Sequence, residues 1–312
     1  MRRIARLIAY VLVLTAGAAG CGGPGDPTTA PTGAAAPATT ATATRPGTPT
    51  TTPPPSPPSP APGDHTLHLP WEGQTRDTLL HAPPGYRPGS ATPLVVVLHG
   101  RPSNAAAVRE TSRLDATADR HGFLVAYPNA PQRAWNGIGC CTDADDVGFL
   151  RHLVGELVST WGVDPTRVYV TGFSAGANMA WKLAVEGSDV FAAVAPVSGG
   201  FTGGRAYDDK GYKPPRPVPV VTFVGTSDRS HASMIDGIGR WHDNLGCEPG
   251  RPTFVDAGRT VEQTTARCAD GSEIVHYVLT GMGHAWPGSP AYPPAAVDAN
   301  EVIWDFFDRN RR

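Results

Sequence analysis

Six short apolar runs, Leu94–Leu98, Phe123–Tyr127, Val168–Thr171, Ala192–Val197, Val218–Val224 and Ile274–Leu279, limit what this chain can become. They are rich in Val, bounded by Gly, Pro, Asn or Asp, and apolar continuously rather than at alternate positions. Strands of that kind are buried on both faces, as in a parallel sheet. Helix-like stretches lie between them. Ala105–His121 is one. Val147–Trp161 is another, with Val147, Leu150, Val154, Leu157 and Val158 on one face, and Asp145 and Asp146 where negative charge favours a helix N-terminus. Further helices are expected from Ala175 and over Val297–Arg309. Alternating strand and helix predicts an α/β fold with a mostly parallel central sheet and helices on both faces.

The runs begin late in the 312 residues. Arg2, Arg3 and Arg6 precede the apolar Leu7–Leu14, which passes into small residues ending at Cys21. A charged start, a short apolar run and a small-residue exit describe an export signal, too short to span a bilayer. Ala18-Ala19-Gly20-Cys21 resembles a bacterial lipoprotein cleavage box, with Ala18 where Leu is usual. Cys21 is thus the expected lipidation site, giving a membrane anchor on the outer face of the cytoplasmic membrane. The competing reading is simple secretion after cleavage at the small residues. Residues 22–64 are almost all Pro, Thr, Ala, Gly and Ser, and cannot bury enough apolar surface to offset ordering; a disordered tether is expected. Residues 65–312 are then one catalytic domain.

Net charge is −2 with no basic stripe, which argues against nucleic acid as a partner. Five cysteines in an exported chain leave one unpaired. With Cys21 lipidated, Cys140, Cys141, Cys247 and Cys268 form an even set of disulfide candidates. Cys247 and Cys268 share one late segment and are the expected pair. The adjacent Cys140 and Cys141 would form a vicinal bridge or make other contacts. A metal site built from Cys140, Cys141, Asp143, Asp145 and Asp146 lacks a spaced Cys/His set, so no metal is expected.

The chemistry centres on Gly172-Phe173-Ser174-Ala175-Gly176, between the strand Arg167–Thr171 and a helix from Ala175. Gly-x-Ser-x-Gly at such a junction is a nucleophile elbow, a tight turn that lifts the hydroxyl above the sheet. Serine needs a base to take its proton. Active groups gather where strands of an open α/β sheet end, and His284 lies just past Ile274–Leu279 in a Gly-rich loop. Asp228 follows the end of Val218–Val224 and supplies a carboxylate to fix the imidazole tautomer. Asp256, Asp270 and Asp298 compete with it from less strand-terminal settings, and His231 is the rival base. The backbone N–H groups of Ala175 and Arg101 are the expected oxyanion donors, since Gly100 permits close approach and Pro102 has no N–H. His99 is expected to brace that loop. Trp286 and Trp135 are candidate substrate-binding residues, able to stack on a phenolic ring or sugar; the alternative is that both pack against neighbouring loops.

Together Leu98-His99-Gly100, Asp145–Phe149, Arg167–Gly176, Phe191–Gly199, Gly225–Asp228 and Gly283–Gly288 resemble the poly(3-hydroxybutyrate) depolymerase-like esterases, a group that includes feruloyl and acetylxylan esterases of the first carbohydrate-esterase family. The resemblance runs from about Thr92 to Phe307. It implies an α/β-hydrolase fold and cofactor-free hydrolysis of carboxylic esters, with Ser174, Asp228 and His284 on the family's triad motifs. The substrate would be a small-molecule or polysaccharide-linked ester, and no protein partner is implied. Arg101 departs from the small or Cys residue common after His-Gly, so it could crowd or charge the pocket mouth. No binding domain follows the last helix, which points away from solid polymer. The alternatives are an acyltransferase to an envelope carbohydrate and a non-catalytic envelope-binding protein on the same fold.

Overall fold

The computed structural model describes residues 59–289 and 296–312. The expected export signal, Cys21 and the tether up to residue 58 lie outside the described residues. The strands are β1 (Gly63–Trp71), β2 (Gln74–Ala82), β3 (Thr92–Leu98), β4 (Leu124–Pro128), β5 (Val163–Phe173), β6 (Ala193–Val197), β7 (Val220–Gly225), β8 (Glu248–Pro249), β9 (Thr253–Phe254), β10 (Val261–Arg267) and β11 (Glu273–Leu279). The helices are α1 (Ala105–Ser112), α2 (Leu114–His121), α3 (Asp146–Trp161), α4 (Ala175–Glu186), α5 (Arg205–Asp208), α6 (His231–Leu245) and α7 (Ala299–Asp308).

One sheet runs β1-β2-β4-β3-β5-β6-β7-β11-β10-β8, with β9 also paired to β10. Its centre, from β4 to β11, is parallel, and both flanks are antiparallel. Successive strand residues point to opposite faces. Leu94, Val96 and Leu98 of β3 therefore enter one core, with Leu153 of α3, Leu183 of α4 and Trp241 of α6. Val95 and Val97 enter the other, with Val108 of α1, Ala118 of α2 and Phe307 of α7. Each Leu, Val or Phe so buried contributes about 1.5–3 kcal/mol. Helices thus cover both faces of a mostly parallel sheet, as the continuous Val runs imply. No described helix is long and apolar enough to cross a membrane.

Several boundaries differ from expectation. β1 begins at Gly63, inside the expected tether, and forms with β2 a hairpin that closes one edge. The single helix expected over Ala105–His121 is two, broken at Arg113 with φ 52°. The last helix starts at Ala299, capped by the Asp298 carboxylate accepting the Asn300 N–H at 2.9 Å. Asp145 does cap α3, accepting the Gly148 N–H at 2.9 Å. Asp146 has another partner: its buried carboxylate meets the buried guanidinium of Arg76 at 2.8 Å.

Candidate active site

β5 ends at Phe173 and α4 begins at Ala175, so Ser174 occupies the turn itself, with φ 58° and ψ −117°. A non-glycine residue there costs on the order of 1–3 kcal/mol unless its surroundings hold it. Here the Ser174 N–H donates to Val197 O at 3.0 Å, and its carbonyl accepts the N–H groups of Ala177 and Asn178 at 2.9 and 3.1 Å. The serine, not a glycine, takes the unusual backbone angles. Gly172 and Gly176 serve close approach: a methyl on Gly172 would overlap the Gly176 carbonyl, and one on Gly176 the Leu98 carbonyl.

Asp228 and His284 arrive on loops that are tied together. Beyond β7, the N–H groups of Thr226 and Ser227 donate to Leu279 O and Met282 O at 3.0 and 2.9 Å. The Gly281 N–H donates to Thr226 Oγ1 at 2.8 Å. These bonds bring Asp228 Oδ2 within 2.6 Å of His284 Nδ1, while Asp228 Oδ1 accepts the Ser230 N–H at 2.9 Å. The carboxylate is 2% exposed and the imidazole 44%, so Asp228 is shielded while His284 is open. Facing a carboxylate, Nδ1 is the donor, which leaves Nε2 as the ring's proton acceptor. Ser174 and His284 together line a cavity of about 260 Å³ and a smaller one of about 180 Å³.

The loop after β3 lies against the serine, since a methyl on Gly100 would sit 3.4 Å from Ser174 Cβ. His99, fully buried, holds this loop: Nδ1 donates to Gly100 O at 2.7 Å and Nε2 accepts the Ala130 N–H at 3.1 Å. Burial, aided by the charges of Arg76 and Arg133, lowers its pKa and keeps it neutral, as an accepting Nε2 requires. Arg101 and Ala175 both border the larger cavity beside Ser174.

A family model described as "Esterase PHB depolymerase" matches residues 78–209. A protein of Nocardia uniformis subsp. tsuyamanensis named "Putative esterase NocK" is 33% identical over 268 residues, 73% of this chain and 76% of its own. The chain belongs to the PHB depolymerase esterase family. Membership makes it a carboxylic ester hydrolase. "Feruloyl esterase B" of Piromyces equi is also similar, 31% identical over 232 residues, but the match covers 67% of this esterase and 42% of the relative. Among solved structures, the acetyl xylan esterase from Aspergillus awamori matches with a TM-score of 0.57 at 16% identity, over 75% of this chain and 94% of that one. Its likeness supports the α/β-hydrolase fold.

Within this esterase, two expectations are corrected. Trp286 and Trp135 are buried at 1% and 0% exposure and offer no face to a ligand. Trp286 Nε1–H donates to Asn300 Oδ1 at 2.9 Å, anchoring the His284 loop to α7. Trp135 Nε1–H donates to His99 O at 3.1 Å and so braces the loop after β3.

The other candidates fall into place around these contacts. Cys247 pairs with Cys268 and Cys140 with Cys141. Of the set weighed for metal, the two cysteines are bridged, Asp145 caps α3 and Asp146 meets Arg76. His231 Nδ1 lies 3.1 Å from Gly225 O. Asp256, Asp270 and Asp298 each accept backbone N–H groups of their own loops or helix. The cavity wall adds residues the sequence did not single out for binding: Thr202, Ser230, Ser233, Met234 and the Cys140–Cys141 bridge. The only signal for that wall was Ser198-Gly199-Gly200, glycines directly after an apolar run.

Proposed function

We propose that the protein is an exported serine esterase that hydrolyses carboxylic esters through an acyl-enzyme on Ser174. The reading is carried by the 2.6 Å contact between Asp228 Oδ2 and His284 Nδ1 beside a cavity that Ser174 also lines. His284 Nε2 takes the Ser174 hydroxyl proton as Oγ attacks the ester carbonyl. The resulting oxyanion is met by the N–H groups of Ala175 and Arg101. The tetrahedral species collapses, the C–O bond to the alcohol breaks, and His284 returns the proton to the leaving oxygen. Water, deprotonated by the same Nε2, then attacks the acyl-enzyme and frees the acid. Asp228 stabilises the imidazolium and fixes its orientation throughout.

The relatives named for feruloyl and acetylxylan ester cleavage, and one named for poly(3-hydroxyalkanoate) depolymerisation, favour acetyl, hydroxyacyl or feruloyl esters as substrates. Residues 1–21 favour export, with lipid attachment at Cys21. The test is a panel of acetyl, butyryl, hydroxybutyryl and feruloyl esters, with fluorophosphonate labelling of the full chain. Ser174→Ala should abolish label and lose about 10⁶ in kcat with circular dichroism unchanged. Retention of a tenth of the activity would sink the assignment. Detergent partitioning and N-terminal mass analysis, with Cys21→Ser as comparison, decide the anchor.

A further inference from the structure

Arg101 lines both cavities of the candidate site, beside Ser174 in each and with His284 in each. Among the described residues its exposed side chain has no ion-pair or hydrogen-bond partner. Arg76, Arg109 and Arg151 by contrast are all paired with carboxylates. No Asp or Glu lines either cavity, and Asp228 is engaged by His284 and the Ser230 N–H. A second exposed cation flanks the same loop: the Arg133 guanidinium donates to Pro102 O at 3.4 Å and has no acidic partner among the described residues. Thr202, Ser230 and Ser233 give the larger cavity a polar wall.

We propose that Arg101 is a specificity-determining residue that selects carboxylic esters bearing a second, ionised carboxylate. The proposal rests on the serine-esterase reading and narrows its substrate class. A guanidinium presents a planar fork that a carboxylate fills with two parallel hydrogen bonds. Cleft walls without negative charge focus the field of an unpaired cation onto an entering anion. A neutral ester offers no group to use that charge. The backbone N–H of Arg101 serves every substrate alike, so the side chain is the part free to discriminate.

The experiment uses the full chain and two pairs of near-isosteric esters. In one pair the acyl chain ends in carboxylate or carboxamide, as 4-nitrophenyl adipate monoester against its adipamic counterpart. In the other the leaving phenol carries the group, as 4-carboxyphenyl against 4-carbamoylphenyl acetate. The acid member should be preferred in kcat/KM by about tenfold in at least one pair, the size expected of a charged hydrogen-bonded contact. Which pair responds identifies the side on which the carboxylate sits. Arg101→Gln should bring that ratio near one, Arg101→Lys should keep part of it, and salt at about 0.5 M should erode it in the parent and the Lys variant but not in the Gln variant. A parent ratio near one in both pairs overturns the proposal. So does an Arg101→Gln variant that loses rate equally on both members, which assigns the side chain to the oxyanion. If no ester is turned over and no fluorophosphonate label appears, the esterase reading itself falls, and this proposal with it.

Discussion

Arg76 Nη1 and Asp146 Oδ1 meet at 2.8 Å with side-chain exposures of 6% and 0%, an ion pair without hydrogen-bond alignment. The pair joins β2 to the start of α3. Arg76 also donates to Asn129 O at 3.0 Å and lies 3.6 Å over the Phe149 ring, while Asp146 Oδ2 accepts the Asn136 N–H at 2.7 Å. Burial raises the Asp146 carboxyl pKa against the pull of the Asn136 N–H and Arg76, and lowers that of Arg76. Removing one partner strands the other. Asp146→Ala should therefore cost about 3–5 kcal/mol, and the double change Arg76→Met with Asp146→Leu should recover much of it. Urea unfolding of the three variants measures this; a single variant within experimental error of the parent would show the pair to be dispensable.

The carboxylate of Asp228 is expected to matter through the tautomer it imposes. Asp228→Asn keeps size and shape but presents an amide to His284 Nδ1, and should reduce kcat about 10⁴-fold. Asp256→Asn, Asp270→Asn and Asp298→Asn should leave kcat close to the parent, because those carboxylates accept local backbone N–H groups. Steady-state rates on one soluble ester decide it. A collapse in any control with Asp228→Asn intact would reassign the acid.

Trp286→Phe separates anchoring from stacking. The substitution keeps an aromatic ring but leaves Asn300 Oδ1 without its indole donor, so stability should fall by about 1–3 kcal/mol. An anchor acts on every substrate, so the KM ratio of feruloyl to acetyl ester should stay unchanged. A selective rise in KM for the feruloyl ester would instead return Trp286 to the binding surface.

Two histidines give opposite pH signatures in stability. Burial, with His242 nearby, pushes His276 down from 6.5 to about 4, so the unfolded chain binds the proton first. Stability is full above the ordinary imidazole value and falls as pH drops from there towards 4. His276→Leu should flatten the acid limb of a stability–pH curve. Burial also disfavours charge on His81, but the Asp64 and Asp119 carboxylates, at 2.7 and 2.9 Å, outweigh it and raise the pKa. Its contribution is full below the ordinary imidazole value and lost as pH rises through the raised one. His81→Gln should hence cost stability in mild acid and little in alkali. Denaturant midpoints across pH that move together in both variants would contradict this.

What could be read in advance follows from what each segment shows to water. β3 and β7 are buried on both faces, and continuous Val runs record that. β1, β2 and β10 alternate buried with exposed residues and carry His, Thr, Gln and Arg, so their strand pattern is faint. α6 was masked by Gly237, kept small because a methyl there would press on the Phe201 backbone. Arg113 breaks α1 from α2 without any Gly or Pro to announce it. Ser174, Asp228 and His284 were legible because each follows the end of a parallel strand. Trp286 was misjudged because nearness in sequence to the base says nothing about which way an indole points, and Trp135 packs inward as the alternative reading of its Gly/Asn-rich loop had it.

The strand directions have a practical corollary. β1 is antiparallel to β2, and β2 to β4, so β1 runs in the same sense as the parallel core. Gly63 therefore starts at the end of the sheet away from the carboxyl ends that carry Ser174, Asp228 and His284. The Arg312 N–H donates to Thr166 O at 3.0 Å, near the start of β5, so the last residue sits at that same far end. A handle fused or coupled to either end of this fold leaves from the back of the molecule, and a surface bearing the enzyme by such a handle meets its substrate with the catalytic mouth turned outward.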